Sequence, residues 1–521
     1  MASPSASEKQ SGRTSFRTLS EHGTATATPD VNLPRDQKLI SDRSSNDDAS
    51  SRDDDDDDDD NGGHLTHQQS NTPSVWPAET MSLPREAMFV IICCMAQFCT
   101  QAAFIDNLLL LHVIGSSFHV QDPARLAWLV AGYSLTIGTF ILFSGRLGDA
   151  YGYKRMLIIG FAWFSAWSLV SGLSVYSTFT LAVVSRVLQG VGPAVCLPNA
   201  LALMGAAYPP GHRKAMPPAG PPAPPRGLRA VVVELDVPGA VTGVAALVLF
   251  NFAWNMAPVA GWAAPVVLAP LVVGLALFGA FAVIEFRYAP RPLLPFDVVN
   301  ADVGFVLAAV VCGWATFGVW TLYLVQILQE IRGLPPLLTC AWFAPVVVTG
   351  GMAAVITGKL LGPLRVRPPV VMTMALAAFT AGVTLTATAP RDQAYWAQIF
   401  VSMLVMPFGM DMSFPAATLI LSDAVKREHQ GIGASLVNTV VNYGIALGVG
   451  FAGTVEVHVN NGGRTKEDQF AGFRGALYMG VGLAGLGLGV ALTFLAREWR
   501  HRKGAGGNEE KAAEAQADEA L

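Results

Sequence analysis

Charged side chains inside apolar stretches are the most informative feature of this sequence. Asp106, Arg186 and Asp411 each lie within a long hydrophobic run. A charge within a membrane-spanning helix costs several kcal/mol unless it is paired or faces water, so such residues mark ion and substrate pathways. The two carboxylates are therefore candidates for binding and releasing protons. Two other interpretations stay open, because Asp106 could lie at the outer interface and the Arg186 side chain could extend to it.

Polar amide side chains accompany these charges at helical spacing. Arg186 and Gln189 are three residues apart and share one helix face, as do Asn438 and Asn442 at a spacing of four. Gln189, Asn438 and Asn442 are candidates for lining a substrate cavity. The asparagine pair could equally hydrogen-bond to a neighbouring helix, since amide groups hold membrane helices together.

A short basic segment with several glycines separates two of the apolar runs. Glycine permits the tight reversal that two packed helices need, and basic residues mark the cytosolic side of a membrane. Asp149 could cap the following helix or pair with a neighbouring arginine. A plain basic turn is the alternative interpretation. The residues that define the segment are Gly145, Arg146, Asp149, Gly152, Lys154 and Arg155.

The elements that must position these residues are membrane helices. The chain has 521 residues, of which 52% are hydrophobic and 14% charged, whereas soluble chains carry about 25% charged residues. A membrane helix needs about 20 apolar residues, and twelve stretches reach that length. They are 88–113, 126–144, 156–175, 179–207, 239–257, 264–284, 303–326, 338–358, 369–388, 395–422, 431–455 and 473–495. The sequence therefore predicts an all-α polytopic membrane protein, in which Pro407 and Pro415 could kink the tenth span.

Basic residues are unevenly distributed among the predicted connections. With the N-terminus in the cytosol, the inner connections and nearby tails carry roughly four times as many Lys and Arg residues as the outer ones. This bias predicts an even number of spans with both termini in the cytosol. Residues 1–85 are polar and include the Asp53–Asp60 run, so we expect them to form a disordered acidic tail that cannot bury enough apolar surface to fold.

The same composition disfavours several classes of protein. The sequence contains no zinc-protease, serine-hydrolase or phosphate-loop motif, so an enzyme is not expected. The cysteines fall in apolar stretches without metal-ligand spacing, and we expect neither a metal nor a cofactor. The net charge of −5 comes from the aspartate run and does not indicate nucleic-acid binding.

Two of these motifs resemble those of the major facilitator superfamily. The segment from Gly145 to Arg155 is similar to its signature G-x-L-a-D-r-x-G-r-[KR], and the stretch around Arg186 and Gln189 is similar to its R-x-x-Q-G-x-G-A motif. The resemblance implies that the first segment latches the cytosolic side during alternating access. It also implies that Arg186 takes part in proton coupling.

Further motifs resemble one branch of that superfamily, the fourteen-span drug:proton antiporters. The stretches that hold Asp411, Asn438 and Asn442 are similar to the fungal aminotriazole-resistance type. Antiporters of this group also carry an aspartate in span one, and Asp106 occupies that place although its flanking residues match poorly. The resemblance therefore extends the proton-coupling role to Asp106 and makes Asp411 a second carboxylate candidate.

The chain departs from the fourteen-span group in its N-terminal half. After the fourth run comes the proline-rich stretch 217–226, which cannot form a membrane helix. The resemblance then implies that spans five and six are missing, through an exon absent from the gene sequence or in a degenerate isoform, and that transport is weak. The expected segments are a tail at 1–85, four spans at 86–208, a proline-rich loop at 209–238, two linker spans at 239–285, six spans at 286–502 and a cytosolic tail at 503–521.

The resemblance implies a secondary active transporter that exports small organic compounds, such as drugs or toxins, in exchange for protons. We expect a monomer in a fungal plasma membrane, with its substrate cavity at the midplane between the two halves. Two alternatives stay open. One is a nutrient uptake carrier of the same fold, and the other is a membrane protein that does not transport, either a sensor that signals through the acidic tail or an inactive isoform.

Overall fold

The computed structural model describes residues 80–207, 227, 231–233, 235–290, 292–293, 300–424 and 430–519. The predicted acidic tail lies almost wholly outside these residues, as does most of the predicted proline-rich loop. The described part of the chain is built from helices and their connections.

Twelve helices in the described residues are long and apolar enough to cross a membrane. In chain order they are α1 (Leu83–Leu109), α2 (Pro123–Tyr151), α3 (Tyr153–Tyr176), α4 (Phe179–Ala207), α5 (Val237–Ala260), α6 (Pro265–Tyr288), α7 (Ala301–Ile331), α8 (Pro336–Leu361), α9 (Pro368–Thr388), α10 (Gln398–Ala424), α11 (Ser435–Val459) and α12 (Lys466–Arg500). Each corresponds to one of the twelve predicted stretches, so the predicted number of spans and their order are confirmed.

The helix ends differ from the predicted ends by more than a turn in several places. The helix of α2 continues to Tyr151, so most of the basic segment is helical and only its last glycine breaks the helix. The helix of α11 ends at Val459, four residues beyond the predicted end at 455. The helix of α12 continues to Glu519, beyond the predicted end of the span at 495, because Ala, Glu and Lys in the C-terminal segment favour helix without being apolar.

The tenth span is one helix in spite of its two prolines. It runs without interruption from Gln398 to Ala424, with Pro407 and Pro415 inside it. Neighbouring helices stabilise such a segment, since the bonds that proline removes matter less where packing holds the helix. Pro407 is itself buried in the bundle.

Glycines let the central helices approach one another closely. A Cβ on Gly138 of α2 would lie 2.6 Å from the backbone nitrogen of Tyr443 on α11. On the other side of α11, a Cβ on Gly444 would lie 3.1 Å from the Val311 oxygen, and one on Gly448 would lie 2.5 Å from the Ala315 oxygen, both on α7. The small residues of α11 therefore bring α2 and α7 into direct backbone contact with it.

Buried polar contacts fix the centre of the C-terminal part of the bundle. The indole nitrogen of Trp320 on α7 donates to Thr386 Oγ1 on α9 and Ser402 Oγ on α10, each at 2.9 Å. The helices α3, α6 and α8 have the smallest buried fractions of the twelve. Their exposed apolar side chains suit a periphery that faces lipid.

Candidate functional site

Arg186 lies two turns into α4 and is half-buried. Its Nη1 donates to Gln189 Oε1 at 2.9 Å, as the shared helix face predicted. Gln189 is almost fully buried, and its Nε2 donates to Ser168 Oγ on α3 at 2.7 Å. A guanidinium, an amide and a hydroxyl thus form one chain between α4 and α3, and this chain fixes the position of the positive charge.

Asp106 lies in the last turn of α1 and is exposed. Its carboxylate acts on Arg186 only through a longer-range electrostatic effect, and among the described residues the two side chains form neither a hydrogen bond nor an ion pair. The adjacent residue Asn107 points the other way: it is fully buried and donates to the Ala103 oxygen at 2.6 Å. The role of Asp106 and Arg186 in proton coupling therefore stays a prediction.

Tyr133 lies on α2 where this helix packs against α4. It is buried, and its hydroxyl donates to the Thr100 backbone oxygen of α1 at 3.1 Å. A Cβ on Gly190 of α4 would lie 2.7 Å from the backbone carbonyl oxygen of Tyr133. The glycine that follows Gln189 in the motif is therefore needed because α2 and α4 touch at that point.

Asp411 occupies a separate place in the bundle. It is half-buried on α10 and faces α8, where its Oδ2 lies 3.1 Å from the position that a Cβ on Gly350 would take. Within the described part of the chain Asp411 makes no hydrogen bond or ion pair, and it is not joined to Arg186. The structure thus leaves the third predicted coupling residue apart from the other two.

Asn438 and Asn442 lie on the buried face of α11. The Asn442 amide nitrogen donates to the Asn438 backbone oxygen at 3.0 Å, so this bond stays within the helix. The next residue, Tyr443, reaches across to α5 and donates to the Leu247 oxygen at 3.1 Å. The two asparagines share a face as predicted, and their contribution to a cavity stays a prediction.

The basic segment forms a hinge between α2 and α3. Gly152 has φ of 96°, a conformation that favours glycine, and it stands at the break between the helices. Asp149 does not cap the N-terminus of α3. Its Oδ1 accepts a hydrogen bond from the Tyr153 hydroxyl at 2.7 Å, and Arg146 acts on it electrostatically. The expectation that Asp149 caps α3 is therefore wrong, because Gly152 occupies the capping position and Asp149 lies inside α2.

Arg146 fastens this hinge to the connection between α6 and α7. Its guanidinium donates to the backbone oxygen of Pro292. Lys154 and Arg155, in the first turn of α3, are exposed. The segment therefore has one basic residue bound inside the molecule and two on its surface.

A cavity of about 240 Å³ lies beside the hinge, between α2, α4 and α11. A Cβ on Gly145 would lie 3.1 Å from Ser435 Oγ of α11, and one on Gly148 would lie 1.9 Å from Asn199 Oδ1 of α4. Both glycines are thus required by close approach between helices. The lining residues are Leu142, Gly145, Arg146, Asp149, Tyr153, Pro198, Leu201, Ala202, Gly205 and Ser435.

At the opposite end of α2 and α11, polar contacts join α1 to α7. The Gln329 amide donates to the Leu109 oxygen at 2.9 Å, and His112 Nε2 lies 2.9 Å from Glu330 Oε1. Just beyond α7, Arg332 donates to the Gln393 oxygen at 3.0 Å. Burial lowers the pKa of Arg332, with Asp392 acting against the shift, and the group stays protonated because an arginine begins far above neutral pH.

Sequence reasoning missed a buried carboxylate in α11. Glu456 is 8% exposed, and its Oε2 accepts from the Tyr323 hydroxyl of α7 at 2.8 Å. The eleventh span was predicted to end at 455, which placed Glu456 in a connection. The observed helix continues to Val459. A predicted span four residues longer would have included Glu456 and marked it as a charge inside the membrane.

Helices of this length and composition cross a bilayer, and the charges held between them suit a solute pathway rather than a reaction. The molecule is therefore a multi-pass membrane transporter by class. Its sequence settles the family: residues 90–216 and 237–449 match the model of the Major Facilitator Superfamily, and the chain belongs to that superfamily. The fold and the relatives are those of transporters and not of enzymes.

Its relatives include fungal transporters and pumps. The low affinity ammonium transporter of Saccharomyces cerevisiae is 45% identical over 464 residues, which cover 79% of this chain and 89% of that protein. The efflux pump terJ of Aspergillus terreus is 40% identical, covering 80% and 90%. The aminotriazole resistance protein of Saccharomyces cerevisiae is 33% identical, covering 77% and 82%. The predicted resemblance to the aminotriazole-resistance type is confirmed.

Proposed function

We propose that this protein is a proton-coupled exporter of small organic compounds. The observation that carries the proposal is the Arg186 guanidinium within α4, held by hydrogen bonds through Gln189 to Ser168, with Asp106 as its proposed counter-charge. Ionisable residues inside a membrane bundle mark proton relays and solute pathways. An efflux pump and a resistance protein among the relatives support export as the direction.

Proton binding at Asp106 changes the charge that faces Arg186. The ionised carboxylate attracts the guanidinium, and the protonated one does not. The hydrogen bond to Gln189 keeps the Arg186 guanidinium in place when the attraction is lost, so its charge then becomes available to a substrate or a second carboxylate. Asp411, which has no partner among the described residues, is our candidate for that second proton site.

The hinge after α2 is our candidate for the cytosolic gate. Arg146 binds Pro292 in the connection before α7, and Asp149 binds Tyr153 across the break. Movement of α2 relative to α7 must break the Arg146 contact, so the segment favours one state of alternating access. We propose that the hinge and the 240 Å³ cavity beside it face the cytosol, with both termini also cytosolic and the protein a monomer in the plasma membrane.

The N-terminal half is proposed to lack two helices. The alignment with the ammonium transporter runs over 464 residues but covers 79% of a 521-residue chain. About fifty of the aligned positions therefore face a gap in this chain, and about fifty residues make two membrane spans with their connections. The order of the motifs places this gap after α4, and the chain should then transport more slowly than its relatives.

A second candidate function is the transport of a small nutrient cation. The observation in its favour is the relative named as a low affinity ammonium transporter, which is more similar to this chain than the pump or the resistance protein is. The two candidates differ in direction and substrate. Cells that express the chain should exclude a labelled drug in the first case and accumulate an ammonium analogue in the second.

Purified protein in sealed vesicles tests the main proposal. A proton gradient should drive movement of a drug or fluorescent compound across the vesicle membrane, and Arg186→Ala should abolish it. Collapsing the gradient with a protonophore is the control. Compound movement that is unaffected by the protonophore would show that protons do not drive it.

A further inference from the structure

A small cavity beside Glu456 belongs to none of the predicted sites. It lies where α5, α7 and α11 meet the first turns of α2, and its volume is about 10 Å³. That is room for one water-sized molecule. Its polar lining comes from Asn255, Tyr323, Gln326 and Glu456, and the remaining lining is apolar or glycine.

Glu456 brings a carboxylate to this cavity without a cation to balance it. Within the described part of the chain its one hydrogen bond comes from Tyr323, a neutral donor. The charged groups that act on it electrostatically are Glu330 of α7 and Asp122 before α2, both acidic. Of the basic groups in this region, His112 pairs with Glu330, and the His458 ring is hydrogen-bonded to the Thr454 backbone oxygen.

Within the described residues, no basic side chain pairs with Glu456: Arg125 of α2 lies over the Phe179 ring, and Lys466 begins α12 beside two acidic residues. Residues 237–260 of α5 contain no charged residue. On α12, Gly472 packs against the Glu456 side chain, and the first turn carries the acidic Glu467 and Asp468, of which Glu467 pairs with Arg391. An ionised carboxylate buried among neutral and acidic neighbours carries a large free-energy cost, so a proton or another cation must neutralise it.

Gln326 of α7, which also lines the cavity, is a second buried polar group, and its side-chain oxygen lacks a hydrogen-bond donor within the part of the chain that the structure describes. It is 1% exposed, and its Oε1 has no hydrogen-bond partner in the described residues. A buried carbonyl oxygen without a donor is itself costly. One small donor in the cavity could serve Gln326 and Glu456 together, and a donor with a positive charge would also balance the carboxylate.

We propose that Glu456, Gln326 and Tyr323 form a binding site for one small hydrogen-bond-donating cation. Hydronium and ammonium share this chemistry: each is close to water in size, carries one positive charge and has several N–H or O–H donors. The site goes beyond the proposed pairing of Asp106 with Arg186 and binds its cation whichever substrate the protein carries. It lies at the end of the bundle opposite the hinge, where α1 and α7 are joined by Gln329.

Cation binding is measured on the full chain in nanodiscs, without transport. At mildly alkaline pH, ammonium chloride should raise the unfolding temperature by about 1–2 °C over the same concentration of choline chloride, because a ligand that binds only the folded state stabilises it and the shift per kcal/mol falls with chain length. Glu456→Gln keeps the shape of the side chain and removes its charge, and it should abolish the difference. Glu467→Gln, which removes an exposed carboxylate, should keep it.

Infrared spectroscopy separates hydronium from ammonium. If the cation is a proton, ammonium has no effect, and a pH titration shows a protonated-carboxyl band that Glu456→Gln removes and Glu467→Gln retains. If Glu456→Gln does not fold, Gln326→Met takes its place and should weaken ammonium stabilisation or shift the titration of the band. The proposal is wrong if wild type shows neither stabilisation by ammonium nor a carboxyl band sensitive to these variants.

Discussion

The Tyr323 hydroxyl donates a 2.8 Å hydrogen bond to Glu456 Oε2, and this bond joins α7 to α11 inside the bundle. Tyr323 is 1% exposed and Glu456 8%. Hydrogen bonds to charged or partly charged acceptors are stronger than neutral ones, and a buried acceptor left without its donor carries a desolvation cost. The contact therefore connects stability directly to the state of the carboxylate.

Tyr323→Phe should destabilise the protein by about 1–3 kcal/mol, because it leaves the Glu456 carboxylate without its hydroxyl donor. The measurement is unfolding of the purified protein in detergent, followed by circular dichroism. Tyr478→Phe is a matched control on a half-exposed tyrosine of α12 and should change stability by less than about 0.5 kcal/mol. Equal effects of the two variants would mean that the Tyr323 bond contributes nothing specific.

Gly148→Ala should destabilise the protein strongly. The added Cβ would lie 1.9 Å from Asn199 Oδ1 and 2.9 Å from Tyr153, so α2 and α4 must separate or Asn199 must turn away, at a cost of about 1–3 kcal/mol. Gly172→Ala in α3 is the control, since nothing lies within 4 Å of its Cβ. There the change should be neutral or slightly stabilising, because alanine favours helix more than glycine does. Thermal unfolding of the two variants gives the comparison, and equal stability of Gly148→Ala and Gly172→Ala would contradict the close contact between α2 and α4.

Asp106→Asn should change the pH dependence of export. The amide cannot bind or release a proton, so Arg186 faces a neutral group at every pH. Export is measured in vesicles across a range of pH, in a version of the chain with spans five and six restored. Glu467→Gln, which removes an exposed carboxylate, should leave the profile unchanged. An unchanged profile for Asp106→Asn would remove this residue from the mechanism.

Arg186→Lys should lower proton-driven export at least tenfold without unfolding the protein. Lysine keeps the charge, but its ammonium is a compact point charge and lacks the planar fork that donates to Gln189 at 2.9 Å. Initial rates in vesicles, normalised to the amount of folded protein, measure the loss. Wild-type rates in the lysine variant would show that charge alone is sufficient.

Restoring two helices should raise transport. A chimera that receives spans five and six of the efflux pump relative between α4 and α5 should export at least about tenfold faster than the chain as written, because those spans complete the N-terminal half of the bundle. Initial rates in vesicles, per folded protein, give the comparison. Export by the unaltered chain at the rate of its relatives would contradict the proposed truncation.

A second measurement tests whether spans five and six are missing from the gene sequence. Sequencing the transcript across codons 205–235 shows whether the two spans are absent from the message. We expect the messenger to encode about fifty further residues there, the length of two spans. A message that matches the chain as written would leave a degenerate isoform as the explanation.

Periodicity and composition were sufficient for the twelve spans and their order. Apolar length alone identifies a membrane helix, because backbone groups in lipid must be satisfied within the segment. The pairing of Arg186 with Gln189 also followed from spacing, since residues three apart share a helix face. The family followed from short motifs whose residues are read directly from the chain.

Contacts between distant helices were decided only by tertiary structure. Tyr323 and Glu456 are 133 residues apart, and nothing in their spacing shows that α7 and α11 bring them together. Asp149 binds Tyr153 instead of capping α3 because α2 continues past the point where its apolar run ends. Glu456 became part of the membrane bundle for the same reason: helix ends depend on what the neighbouring helices cover, and the sequence of one helix does not contain that information.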